Sequence, residues 1–262
     1  MSSGHYKIFL GMAAGVGKTY RMLQEGHAEA DGGRDVAIAY LEPHKREETS
    51  AQAGGLEALS RRVVEIRGGA SVEEMDLPAL LARVPELALI DELAHTNPPG
   101  LEHGKRYEDI ADVLAVGIDV FSTVNVQHLE SLNDQVAELT GVRVRETLPD
   151  SVLGSANEIV LIDLTPEALI ARLQAGKIYP GENVDAALNN FFKIENLAAL
   201  REVSLRQVAE DVESKRLVYN DAEPVGTRRE ERVSADAPKA VGERLKRRDR
   251  LFQDPSLGRR QR

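Results

Sequence analysis

The 262-residue chain contains no cysteine, which excludes a disulfide framework and any thiolate metal site. It also lacks long apolar runs: stretches such as Val36 to Leu41 fall far short of the ~18 residues a membrane span needs. The first apolar stretch runs into Gly17-Lys18-Thr19, not into a small-residue cleavage site, so it does not read as a secretory leader. No internal repeat is visible. His95, His103 and His128 lack the close helical or hairpin spacing of a zinc site. Positive charge is scarce over most of the chain, whose net charge is −10. Arg216 to Arg262 holds thirteen Lys/Arg against eight Asp/Glu, about +5, leaving about −15 on the preceding 215 residues. An acidic body of this kind repels a nucleic-acid backbone. The composition predicts a soluble, cytoplasmic chain with one large core or two modest ones.

What is present begins with Lys7 to Thr19, KIFLGMAAGVGKT. An apolar run, Ile8-Phe9-Leu10, stops at Gly11, and after small residues Gly15-Val16-Gly17-Lys18-Thr19 opens a helix. A strand, a phosphate-sized loop and a helix N-terminus in that order suit an oxyanion, because backbone N–H groups and the positive helix end converge on one point. Lys18 would reach the β and γ phosphates of ATP, and Thr19 would give its hydroxyl to magnesium. The strict pattern has glycine five residues before Gly17, where this chain has Met12. A chance glycine-rich turn is the bland alternative, and the Gly-Lys-Thr directly after a strand argues against it.

Val36 to Leu41 reads as a parallel strand buried on both faces, ending in Glu42-Pro43-His44-Lys45-Arg46. Ligands of open α/β sheets bind beyond the strands' carboxyl ends, which places these polar residues on the active face or in a solvated loop. Val63 to Ile66 predicts another strand and Val72 to Arg83 a helix. Leu87 to Ile90 then ends in Asp91-Glu92, the pattern of a Walker B strand. Asp91 would hold a magnesium-bound water, and Glu92 is the candidate catalytic base for attack on the γ-phosphate. The long connection that follows, Ala94 to Gly104, is rich in Asn, Thr, His and Pro and poor in apolar anchors, so nucleotide is expected to order it. Lys105 and Arg106 open a helix against its dipole and call for an anionic contact, from a ligand or from Glu108 and Asp109.

Ile118 to Val124 predicts a buried strand, and Asn125 at its end is the candidate γ-phosphate sensor. His128 lacks the following acid of a phosphoacceptor, since Leu129 comes next. A short strand at Val142 to Val144 carries Arg143, which with Arg145 is either a phosphate finger or one edge-strand face, the second being favoured. Glu158 to Leu164 predicts a last buried strand, and Thr165-Pro166-Glu167 starts the next helix. Helices follow at Asn183 to Phe192 and Glu195 to Glu213. The fold class is therefore α/β and P-loop NTPase-like: a doubly wound, mostly parallel sheet flanked by helices, with a C-terminal helical extension. The boundaries are 1–180 for the nucleotide-binding domain, 181–215 for the extension and 216–262 for a basic tail expected to be disordered. Its Arg244 to Arg250 cluster is solvated or touches an anionic surface.

The blocks GMAAGVGKTYRML, LIDELAHTNPPG, KRYEDI, TVNVQHLESLND, TGVRVRETLPDSVL and NFFKIENLAALRE resemble, in order, the N-terminal cytoplasmic region of the KdpD sensor histidine kinases. The resemblance covers roughly Lys7 to Glu213. It implies an ATP-binding regulatory domain in the control of potassium uptake, partnered by a histidine kinase core or the response regulator KdpE. The chain reads as a short or truncated member: it has no phosphoacceptor His followed by an acid and no kinase-type nucleotide lid. Kinase activity is thus not carried over. Two other readings remain open, a P-loop small-molecule kinase or slow ATPase, and an interaction module whose P-loop is purely structural.

Overall fold

The computed structural model describes residues 3–222 apart from 45, 67 and 180–183, without the side chains of 216–222. Two units are distinguished, 1–219 and 220–262, and the second lies almost wholly outside the described residues. The basic tail expected from Arg216 is outside them beyond Ala222, as is its Arg244 to Arg250 cluster.

Strand β1 (Tyr6–Gly11) leads through the glycine-rich loop into helix α1 (Lys18–Asp31). β2 (Val36–Tyr40), α2 (Glu47–Ala53), the two-residue β3 (Glu57–Ala58) and a hairpin of β4 (Arg62–Glu65) and β5 (Ser71–Glu74) follow. Then come α3 (Leu77–Arg83), β6 (Leu87–Ile90), α4 (Arg106–Ala115), β7 (Asp119–Asn125), α5 (Asn133–Thr140) and α6 (Asp150–Gly154). β8 (Glu158–Ile162), α7 (Pro166–Gln174), α8 (Val184–Asn189) and α9 (Ile194–Ala222) complete the described elements. None of the described helices is long and apolar enough to cross a membrane.

Six strands form one sheet in the order β3-β2-β6-β7-β1-β8, with every pairing parallel. Alternation along each strand divides the core between the two faces. Phe9, Leu87, Leu89 and Phe121 meet Met22 and Leu23 of α1 on one side. Ile8, Leu10, Ile90 and Val120 face the other, where Leu80 of α3, Val113 of α4, Val136 of α5, Leu169 of α7 and Leu197 of α9 pack. Burial on both faces is why β2 and β6 read as continuous apolar runs and β1 nearly so, whereas β7 also buries Ser122 and Thr123.

Three local expectations are corrected. Ser71–Glu74 is strand, not helix, because Val72 pairs with Val64 and Glu74 with Arg62 across the hairpin. The helix begins only at Leu77, where the Asp76 carboxylate accepts from Ala79 N at 3.0 Å and Pro78 suits the first turn. Val142 to Val144 forms no strand: side chains meet its backbone instead, Val142 N donating to Thr140 Oγ1 at 3.1 Å and Asn133 Nδ2 to the Val144 carbonyl at 3.0 Å. β8 is half-buried, as an edge strand paired only with β1 must be.

Candidate functional site

The sheet order sets the carboxyl ends of β1, β7 and β6 side by side. Gly11, Asn125 and the Asp91-Glu92 pair therefore converge although they are far apart in sequence. The loop between β1 and α1 is shaped by two glycines with left-handed backbones. Gly15 has φ +88°, and a Cβ there would lie 2.3 Å from Ile178 Cδ1; Gly17, at φ +107°, caps α1. Met12 and Val16 put their side chains into the core, which explains how the loop dispenses with glycine at position 12.

Lys18 is the first residue of α1 and only 8% exposed. Its Nζ donates to the Ala13 carbonyl at 3.1 Å and to Asn125 Oδ1. Burial pushes its pKa down to about 8, with Asp91 opposing the shift and Arg46 reinforcing it. Thr19 Oγ1 lies 3.2 Å from both carboxylate oxygens of Asp91 and donates to them. Thr123 Oγ1, on β7, also donates to Asp91. Burial raises the Asp91 pKa, the Thr123 bond opposing it and the Glu92 charge adding to it.

Glu92 follows with a left-handed backbone, φ +57°, and its Oε1 lies 3.1 Å from His44 Nε2. Burial works to raise the Glu92 pKa, but His44, helped by Arg106 and His95, holds it below the usual carboxylate range. The same bond raises His44.

Gly15, Gly17, Lys18, Thr19, Asp91, Glu92 and Asn125 all line one cleft of about 470 Å³. His44 and Arg46, from the polar segment after β2, line it too. His128 borders it with Nδ1 bonded to the Glu146 carbonyl at 2.7 Å, and burial lowers its pKa. Arg143 and Arg145 do not line it; Arg143 is exposed and paired with Asp134 at 2.7 Å. The cleft's other arginine is Arg172, in the last turn of α7, and Lys177, just past the end of that helix, lines it too. Nothing in their local sequence signals this, because only the crossing of α7 over the sheet brings them there.

Behind Asp91 and Glu92 lies an ion pair that sequence reasoning also missed. Arg106, fully buried, donates through Nη2 to Glu74 Oε2 at 2.7 Å and lies 3.6 Å above the centroid of the Tyr40 ring. The other Glu74 oxygen is 2.9 Å from His95 Nε2. The carboxylate that Arg106 meets is thus a hairpin residue, not Glu108 or Asp109. The connection from Ala94 to Gly104 is better anchored than expected. Asn97, 7% exposed, donates from its backbone to the Gly104 carbonyl at 3.0 Å and from Nδ2 to Asp109 at 2.7 Å.

A hydroxyl and a carboxylate at the mouth of a glycine-rich loop offer hard oxygen donors suited to magnesium. Among the described residues no group of three or more His, Cys, Asp or Glu is placed to hold a metal ion. With β7 set between the strand that enters the loop and the strand that ends in Asp91, the domain is of the P-loop-like α/β class. Residues 2–212 match the family described as KdpD, osmosensitive K+ channel His kinase sensor domain, and the chain belongs to that family.

Among curated relatives it is 57% identical to a putative sensor protein KdpD of Synechocystis over 210 residues, 80% of this chain and 56% of the relative. The sensor protein KdpD of Mycobacterium tuberculosis is 48% identical over 207 residues, 79% of this chain and 24% of the relative. That of Escherichia coli is 47% identical over 212 residues, 81% and 24% respectively. The matched region spans only about half to a quarter of these relatives' length.

Proposed function

We propose that this domain binds ATP with magnesium in the cleft above β1, β7 and β6, and that nucleotide occupancy is its contribution to potassium-responsive two-component signalling. Lys18 carries the reading. Its buried ammonium bonds only to neutral oxygens among the described residues, those of Ala13 and Asn125. A buried cation without a bonded carboxylate is costly, and a phosphate in the adjoining loop would supply its counter-charge.

Gly15, Val16 and Gly17 would hold phosphate oxygens through their backbone, and Thr19 and Asp91 would hold the magnesium. When bound, the metal supplies charge neutralisation on the phosphates. Asn125, bonded to Lys18, would sense the terminal phosphate, and Glu92 would orient water. The His44 bond occupies one Glu92 oxygen, which favours slow turnover over fast hydrolysis. A neighbouring cavity of about 330 Å³ past Ala14 is lined mainly by aliphatic and aromatic side chains, which lends little support to a small-molecule kinase with a polar acceptor. The proposed partner is a histidine kinase core or the response regulator KdpE.

Isothermal titration with ATP and magnesium tests this. Lys18→Ala is expected to weaken binding by ~2 kcal/mol or more, the scale of a lost charge-assisted contact. Glu92→Gln should keep the affinity and lose whatever hydrolysis the parent shows. Equal affinity in Lys18→Ala and the parent would remove the loop as a phosphate cradle.

A further inference from the structure

One wall of the cleft is built by the start of α2 and the end of α7, and it is crowded with cations. Arg46 immediately precedes α2, Arg172 lies in the last turn of α7, and Lys177 follows it. A single carboxylate, Glu48 in the first turn of α2, bridges the two elements, 2.7 Å from Lys177 Nζ and 3.7 Å from Arg172 Nη2. Arg46 pairs with no carboxylate among the described residues; its Nε donates only to the Ile178 carbonyl, at 3.4 Å. Arg172 Nε is buried without a hydrogen-bond partner among them. Burial holds the Arg46 pKa below its ordinary value; the Arg172 charge pushes the same way, while Tyr179, Asp91 and Glu92 oppose it. Ile178, next to Lys177 and bonded through its carbonyl to Arg46, packs against Gly15 of the glycine-rich loop.

We propose that Arg46, Arg172 and Lys177 form a second oxyanion subsite in this cleft, gripping phosphate oxygens that the glycine-rich loop leaves open, with Glu48 as the internal anion that competes for it. The inference rests on the nucleotide reading and deepens it, since the ligand class it implies is a nucleoside polyphosphate. Planar guanidinium forks match phosphate oxygens in pairs. Glu48 and Lys177 have side chains about half exposed, 55% and 49%, and ion pairs that exposed are weak enough to be exchanged for a more highly charged ligand. Binding would then replace a direct α2–α7 bridge with one that runs through the ligand, so that these two elements report occupancy.

The test is titration of the full chain with magnesium and either ATP or inorganic tripolyphosphate, which separates nucleotide from bare phosphate. The parent is compared with Glu48→Gln, an Arg172→Ala/Lys177→Ala double variant, and Lys18→Ala. Arg172, Lys177 and Glu48 are each more than a third exposed, so these substitutions should leave the fold intact, which circular dichroism checks. Glu48→Gln is expected to tighten ATP binding roughly threefold to fivefold, the worth of an exposed ion pair. The double variant is expected to weaken it by about tenfold or more. ATP binding that depends on Lys18 but ignores both other variants would overturn the subsite and leave the nucleotide reading standing. Tripolyphosphate binding lost in the double variant but kept in Lys18→Ala would support the subsite and overturn the loop as the main cradle. A parent that binds neither ligand would overturn both.

Discussion

Lys18 makes a prediction whose size can be worked out. Replacing it with methionine keeps a linear side chain of similar length and removes the charge. In the folded protein the Lys18 pKa is about 8, against 10.5 for the unperturbed group taken as the unfolded value. The folded value is the lower one, so between the two the unfolded chain binds more protons, and stability rises with pH through that window. Below about pH 8 the group is charged in both states and the full cost of burying it is felt; above about pH 10.5 it is neutral in both and the cost is gone. A shift of this size amounts to about 3 kcal/mol, of which about 2 kcal/mol is recovered between about pH 7.5 and pH 10. Urea denaturation of the parent and Lys18→Met at those two pH values, without nucleotide, reads it directly. Other groups titrate alike in the two proteins and cancel in the difference. The parent should gain about 2 kcal/mol on the variant as pH rises. A phosphate ligand favours the charged form, so ATP affinity should fall over the same range in the parent alone. A stability difference that does not change with pH would refute the reasoning, because it would mean that Lys18 keeps an ordinary pKa and is not strained by its burial.

Glu74→Ala leaves the fully buried Arg106 guanidinium without its carboxylate, and should cost about 3 to 5 kcal/mol in a denaturant titration; replacing both residues with leucine should cost less than the single change. If Glu74→Ala were as stable as the parent, the pair would not be holding the β4–β5 hairpin to the back of the site. In the connection after Glu92, the Asn97 amide is bonded to the Gly104 carbonyl, so its hydrogen exchange should be slow with ATP, with ADP and without nucleotide. Fast exchange that slows only with ATP would restore this connection as a nucleotide-ordered switch.

The sequence by itself determined the strands that carry the site and the residues at their ends. β1, β2 and β6 are legible because a parallel strand covered on both faces is mostly apolar along its length, β7 because Ile118, Val120, Phe121 and Val124 carry the run through Ser122 and Thr123, and the polar residues that end such runs stand out. Asp91, Glu92 and Asn125 stand out in this way, Lys18 and Thr19 through the glycine-rich loop that precedes them, and one cleft is lined by all five. Where local preference was ambiguous the reading failed. Ser71–Glu74 has a composition tolerable in either state, and only its pairing with Arg62–Glu65 makes it strand. The tertiary structure alone decided which charges meet. Arg106 and Glu74 are 32 residues apart and neither sits in a pattern that marks it for burial. Arg172 reads as the ordinary polar end of an amphipathic helix, and Lys177 as part of the turn that follows it. Periodicity reports which face of an element is buried, but the partner of a charge depends on strand order and on where a helix crosses the sheet, and these are set by packing of the whole chain.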